Sequence, residues 1–174
     1  FGLPGETTLG FYREWLKCSD IEHILTHDER AAAYMAEAYA KVSGRIGISE
    51  APSPGGSHPV PGVLESFTGA VPTICFTSDV PYNNDKRNML SGFDQNRLYS
   101  AITKESILIT KAKDIPFLIR RAFRVALSGR PGAVHIRVPM DVYTEEAEVD
   151  DLYADPCMAK WPAYRPVADF SQID

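Results

Sequence analysis

The stretch IEHILTHDERAAAYMAEAYA, residues 21–40, decides how this chain is read. Ile21, Ile24 and Leu25 give its first part strand character, residues 26–28 make a polar corner, and the Ala-rich remainder is built of strong helix formers. Glu29 therefore falls where a strand hands over to a helix. In an open α/β sheet that handover, at the carboxyl end of a strand, is where ligands bind. A plainer reading is also open: Asp28 and Glu29 are acids in a helix's first turn, favoured there by the macrodipole.

Working outward, FGLPGE (1–6) is a turn in which Pro4 fixes φ and Gly5 can take a positive φ. Glu6-Thr7-Thr8 then opens a helix through residues 9–16, broken at Ser19-Asp20. Phe1-Gly2 reads like the end of a strand, and without an initiator Met the chain is read as a fragment. Downstream, Ser43-Gly44 stops the Ala-rich helix and residues 46–49 give a second strand. APSPGGSHPVPG (51–62) holds four prolines and three glycines in twelve residues. Neither a helix interior nor a central strand tolerates that, so it is a loop shaped by its backbone.

Residues 63–67 read as a short helix and VPTICFTS (71–78) as a buried strand. Residues 82–96 are polar and aperiodic and are expected to form a mobile surface segment. Residues 106–110 make another strand. A helix over 114–128 follows, with Ile115, Leu118, Ile119, Ala122, Phe123 and Ala126 on one face, Asp114 as N-cap and Gly129 as stop. AVHIRV (133–138) is the last strand. Short apolar strands alternating with helices predict a three-layer α/β fold, a mainly parallel sheet of about five or six strands with helices on both faces. The pattern ends after Val142, so residues 1–143 are read as one domain and 144–174 as a linker or tail.

The 174 residues, 44% hydrophobic and 24% charged, are enough for a real core. A formal charge of −5 argues against nucleic acid or an anionic membrane surface as partner. No apolar run reaches the roughly 20 residues that cross a bilayer, and no basic-then-apolar leader is read at the start. Cys18, Cys75 and Cys157 are widely spaced, giving neither a disulfide framework nor a zinc pattern and fitting a reducing cytoplasm. His23, His27, His58 and His135 share no metal-ligand spacing. His135, inside a strand, reads as a packed or surface residue. The glycine-rich dinucleotide and nucleotide loops and the hydrolase elbow are absent.

Six segments in order carry a resemblance: FGLPGE (1–6), ILTHDERAAAYMAEAYAK (24–41), SPGGSH (53–58), VPTICFTSDVP (71–81), DQNRLYSAITK (94–104) and SGRPGAVHIRVPMDV (128–142). Together they resemble the N-terminal, pyrimidine-binding domain of thiamine diphosphate enzymes, a flavodoxin-like domain, closest to the acetolactate synthase and 2-oxo acid decarboxylase group. The resemblance implies that Glu29 is catalytic: it binds N1' of the cofactor's aminopyrimidine and favours the imino tautomer that removes the thiazolium C2 proton. A carboxyl group suits that work, because in a dry pocket it can share a proton with a ring nitrogen.

SPGGSH matches the family's GPGATN loop, keeping Pro54 and Gly55. It puts His58 where the family has asparagine. Leu3, Pro4 and Gly5 match the turn that packs on the pyrimidine. Leu90-Ser91-Gly92 replaces the Phe-Gln-Glu frequent in acetolactate-type carboligases, which keeps a decarboxylase open beside a carboligase. The acidic Mg²⁺ site that holds the cofactor's diphosphate has no match. The resemblance therefore implies that Mg²⁺ is held by a diphosphate-binding domain of the same protein or of a partner subunit, in a dimer or tetramer acting on a small 2-oxo acid. This chain alone is expected to be inactive. The competing reading is a non-catalytic flavodoxin-like interaction domain.

Overall fold

The fold is built on two adjacent strands whose alternate residues are buried in chemically different layers. In the computed structural model, which describes residues 1–83, 89–164, 167 and 171, β1 is Gly47–Ala51, β2 Thr73–Asp79, β3 Glu105–Leu108 and β4 Val134–Pro139. They form one parallel sheet in the order β1-β2-β4-β3. Helices α1 (Leu9–Trp15), α2 (Glu29–Ser43), α3 (Val60–Thr68), α4 (Gln95–Ser100) and α5 (Ile115–Leu127) connect and cover it.

One parity of the strands is aliphatic. Ile74, Ile107, Val134, Ile136 and Val138 pack with Ala122, Ala126 and Leu127 of α5, joined by Ile115, Leu118, Ile119 and Phe123. The helix face predicted from the 3.6-residue period is thus the one that meets the sheet. Burying each large aliphatic side chain stabilises by about 1.5–3 kcal/mol before entropy is counted. Met158, from the stretch after residue 144, joins this cluster.

The opposite parity is small or polar. Cys75 and Ala133 pack with Ala33 of α2, Val63 of α3 and Tyr99 of α4, while Thr77, Asp79, His135 and Arg137 are buried in the same strands. α2 comes close to β1 because Ala32, Ala33, Ala36 and Ala40 form its buried face. A Cβ on Gly47 would sit 2.5 Å from the Ala36 carbonyl carbon, so only glycine fits there. Asp28 caps α2 by accepting from the Arg30 N–H at 2.7 Å. Gly44, at φ 66°, ends it in the left-handed conformation that the Ser43-Gly44 stop predicts.

Several expectations change. Residues 21–25 are not a full strand: Leu25 makes a single parallel bridge to Gly2, which itself bridges to Glu50. Ile21, Ile24 and Leu25 are exposed. Among the described residues the sheet has four full strands, and the expected five or six are reached only by counting these bridged positions. Asp114 stands at the N-cap of α5, yet its side chain makes no capping hydrogen bond. Helix α4 begins inside the 82–96 stretch read as irregular; residues 84–88 of that stretch lie outside those described. Among the described residues no helix is long and apolar enough to cross a membrane.

Candidate functional site

Glu29 is the first residue of α2, and its side chain turns inward while that of its neighbour turns out. Asp28 is held by Arg30, whose guanidinium reaches Asp28 Oδ2 at 2.6 Å. These bonds keep the Asp28 carboxyl well below the usual carboxylate range. Glu29 is buried at 7% exposure, at a helix N-terminus that favours a negative group. Its Oε2 lies 2.8 Å from His58 Nδ1. Its other oxygen lies against Gly55, where a Cβ would come within 2.9 Å of the Glu29 carboxyl carbon. His58 itself is half-exposed.

The loop of residues 52–58 is fixed from three sides. A Cβ on Gly5 would meet Pro52 at 2.5 Å, so the amino-terminal turn packs directly on the loop. The Ser53 N–H donates to Thr7 Oγ1 at 2.9 Å, Thr7 pairs with Ser78 Oγ at the end of β2, and Ser53 Oγ donates to the Ser91 carbonyl. The Tyr99 hydroxyl donates to the Gly56 carbonyl at 2.7 Å. Gly55 and Gly56 are buried: the bare face of Gly55 meets the Glu29 carboxylate, and that of Gly56 meets Thr77 and Gln95.

Of the residues singled out in the sequence, Glu29, Gly55 and His58 are in mutual contact, and Gly5 touches their loop. Leu3 is partly exposed and Pro4 and Pro54 are exposed, on the same turn and loop. His135 is fully buried. It stacks on Tyr99 with ring centroids 3.9 Å apart and bridges Thr77 Oγ1 (2.8 Å) and Ser106 Oγ (2.7 Å). Burial holds its imidazole down to about 3. Thr77 also bonds Gln95, whose amide donates to the Ser78 carbonyl at 2.9 Å. Arg137 and Asp79 form an ion pair with both side chains almost wholly buried, and Arg137 also donates to Asn96 Oδ1 at 2.9 Å. A polar framework of α4, β2 and β4 thus stands behind the loop.

A second buried carboxyl was not foreseen. Glu50, in β1 just before the loop, is 5% exposed. It accepts from the Tyr12 hydroxyl, which also pairs with His23 Nε2 at 2.9 Å. Burial, with a smaller push from the Glu29 charge, raises the Glu50 carboxyl to about 7 despite the Tyr12 hydrogen bond. The only hint in the sequence is an acid in a strand.

Cys75 is buried and its thiol is pushed up to about 11, which leaves it unreactive; all three cysteines are free. Among the described residues no group of His, Cys, Asp and Glu is arranged to hold a metal ion. A surface groove of about 270 Å³ lined by Phe117, Arg120, Arg121, Arg124 and Val125 lies on α5 and shares no residue with the Glu29 cluster.

This arrangement is a buried carboxylate at the carboxyl edge of a parallel sheet, walled by the Gly55 backbone and bonded to His58. Comparison with known proteins points the same way. Residues 1–98 match the family model described as thiamine pyrophosphate enzyme, N-terminal TPP binding domain. A probable acetolactate synthase large subunit of Methanocaldococcus jannaschii is 37% identical over 167 residues, covering 95% of this chain and 28% of the relative. The acetolactate synthase large subunit of Haemophilus influenzae is 33% identical over 142 residues, 81% of this chain and 25% of the relative. Glyoxylate carboligase of Escherichia coli O157:H7 is 29% identical across 100% of this chain and 29% of its own length. The chain thus spans between 25% and 29% of the length of these relatives. With its parallel sheet, its helices on both faces and this match, the chain belongs to the thiamine pyrophosphate enzymes, as their N-terminal TPP binding domain.

Proposed function

We propose that this chain is the pyrimidine-binding part of a longer thiamine diphosphate-dependent enzyme acting on small 2-oxo acids, with Glu29 as the residue that activates the cofactor. The observation that carries this reading is the Glu29 carboxylate, buried yet set against the bare backbone of Gly55. The residues present fit the group. Glu29 offers a buried carboxylate to a protonated ring nitrogen, held against the Gly55 backbone on one side and the half-exposed His58 on the other. When bound, the cofactor supplies a thiazolium carbon that becomes nucleophilic on losing its proton.

The chain's own residues do the rest. Glu29 shares a proton at ring N1', and its burial strengthens that exchange by excluding competing water. The Leu3–Gly5 turn and the 52–58 loop flank the ring, the turn holding the loop through Gly5 and Pro52. Tyr99 and Thr7 fix the loop so that Glu29 meets the nitrogen in one geometry. Mg²⁺ and the diphosphate belong to a counterpart domain of the same protein or a partner subunit in a homo-oligomer, because the described residues offer no hard-oxygen cluster of the kind Mg²⁺ takes.

The similarity to both acetolactate synthases and glyoxylate carboligase favours carboligation over simple decarboxylation. The test is to supply the complete enzyme with thiamine diphosphate, Mg²⁺ and pyruvate or glyoxylate, and to follow CO₂ release together with the coupled product. Cofactor-dependent release with a joined product is expected. Release that ends at the free aldehyde would assign a decarboxylase, and no cofactor binding would return the chain to the interaction-domain reading.

A further inference from the structure

Glu29 is sealed from bulk water on nearly every side, yet a carboxyl that works on protons must exchange them. Its side chain is 10% exposed, whereas that of His58, bonded to it at 2.8 Å, is 56% exposed. The imidazole thus has one nitrogen on the buried carboxylate and an opposite edge in solvent. The neighbouring acid does not compete for it: Asp28 is engaged by the Arg30 side chain and by its backbone N–H. Gly55 closes the other side of the carboxylate.

We propose that His58 is a positioning residue that acts through Glu29, relaying protons between its carboxyl and solvent. This rests on the reading of Glu29 given above. A proton leaves the Glu29 carboxyl for His58 Nδ1 while the hydrogen on Nε2 leaves to water. The ring stays neutral overall, and the reverse sequence returns a proton to Glu29. Imidazole suits the step because either nitrogen can be donor or acceptor. An asparagine or glutamine amide at this position could hold the carboxylate but could not pass a proton on.

The experiment uses the complete enzyme and two readouts. In the cofactor-free protein, ¹⁵N spectra of the histidine rings report which nitrogen of His58 carries hydrogen. A hydrogen on Nδ1 in the wild type, redistributed in Glu29→Gln, is expected; a ring that ignores Glu29→Gln overturns the proposal.

With thiamine diphosphate and Mg²⁺ saturating, deuterium exchange at cofactor C2 is followed in His58→Ala and His58→Gln. Both should slow at least about tenfold at saturating cofactor, less than the roughly 10²–10⁴ expected from losing direct acid–base assistance. Added free imidazole should restore His58→Ala and leave His58→Gln slow. Wild-type exchange in His58→Gln, or a His58→Ala defect that imidazole does not repair, overturns the relay. If Glu29→Gln slows exchange while the His58 variants do not, the relay alone fails. If Glu29→Gln also exchanges normally, the reading of Glu29 fails and the relay with it.

Discussion

Replacing Gly55 by alanine tests whether the loop is shaped around the Glu29 carboxylate. The new Cβ would lie 2.9 Å from the Glu29 carboxyl carbon, whereas carbon atoms rest at about 3.5–4.0 Å. Glu29 Oε1 would lie nearer still, so the carboxyl must retreat by roughly 1 Å or more. It is the far end of a flexible side chain, so the fold can accommodate the change. The bond to half-exposed His58 is the main loss, and a solvent-screened pair of that kind contributes only about 0–1 kcal/mol. A misplacement of about 1 Å at a reacting group can nevertheless cost roughly 10²-fold in rate. Gly55→Ala should therefore unfold close to the wild-type urea midpoint while losing about two orders of magnitude in turnover.

Gly47→Ala is the control. Its Cβ meets the α2 backbone, 2.5 Å from the Ala36 carbonyl carbon, so relief means moving a helix, at the 1–3 kcal/mol or more typical of overpacking. Urea denaturation and steady-state rates on both variants separate the two effects. Gly55→Ala with wild-type turnover, or with a stability loss matching Gly47→Ala, would refute the reasoning.

The dependence of stability on pH should have two opposed components. The folded chain keeps a proton on Glu50 up to about 7 that the unfolded chain releases near 4.5, so stability falls as pH rises through that window. Folded His135 refuses a proton down to about 3 that the unfolded chain takes up near 6.5, so stability falls as pH drops through that window. Each slope reaches at most about 1.4 kcal/mol per pH unit, and they cancel between 4.5 and 6.5. Urea midpoints should rise from pH 4.5 to 6.5 in Glu50→Gln and stay nearly level in the wild type; a wild-type rise as steep as the variant's would remove Glu50 from the balance. Arg137→Met should destabilise by about 3–5 kcal/mol because it takes the guanidinium from the buried Asp79 carboxylate; a loss below about 1 kcal/mol in the same denaturation would contradict this.

The sequence is most legible where the determinants are local. Asp28, the alanine face and Gly44 define α2 within one segment, and the prolines and glycines of 51–62 mark a loop by composition, although Ala51 still belongs to β1 and α3 already starts at Val60, with Pro61 in its first turn. The α5 face follows from its period. Helix α4 was hidden because it starts in a polar stretch and is secured by distant contacts, such as Tyr99 to Gly56 across 43 positions. Tyr12 reaches Glu50 over 38 positions and Thr77 reaches His135 over 58, separations that no local pattern encodes. Residues 21–25 misled for the opposite reason: their apolar pattern is that of a strand, but Ile21, Ile24 and Leu25 are exposed and only Leu25 is bridged to a neighbour.

In the proposed role, Glu29 moves a proton on the cofactor's ring rather than only opening a helix. Glu29→Gln keeps the shape and a hydrogen bond and removes the basicity. Deuterium exchange at cofactor C2, measured in the complete enzyme saturated with thiamine diphosphate and Mg²⁺, should fall by about 10²–10⁴ in this variant while the cofactor still binds. Exchange at the wild-type rate would contradict the account and leave Glu29 as a first-turn acid contributing about 0.3–1 kcal/mol to its helix.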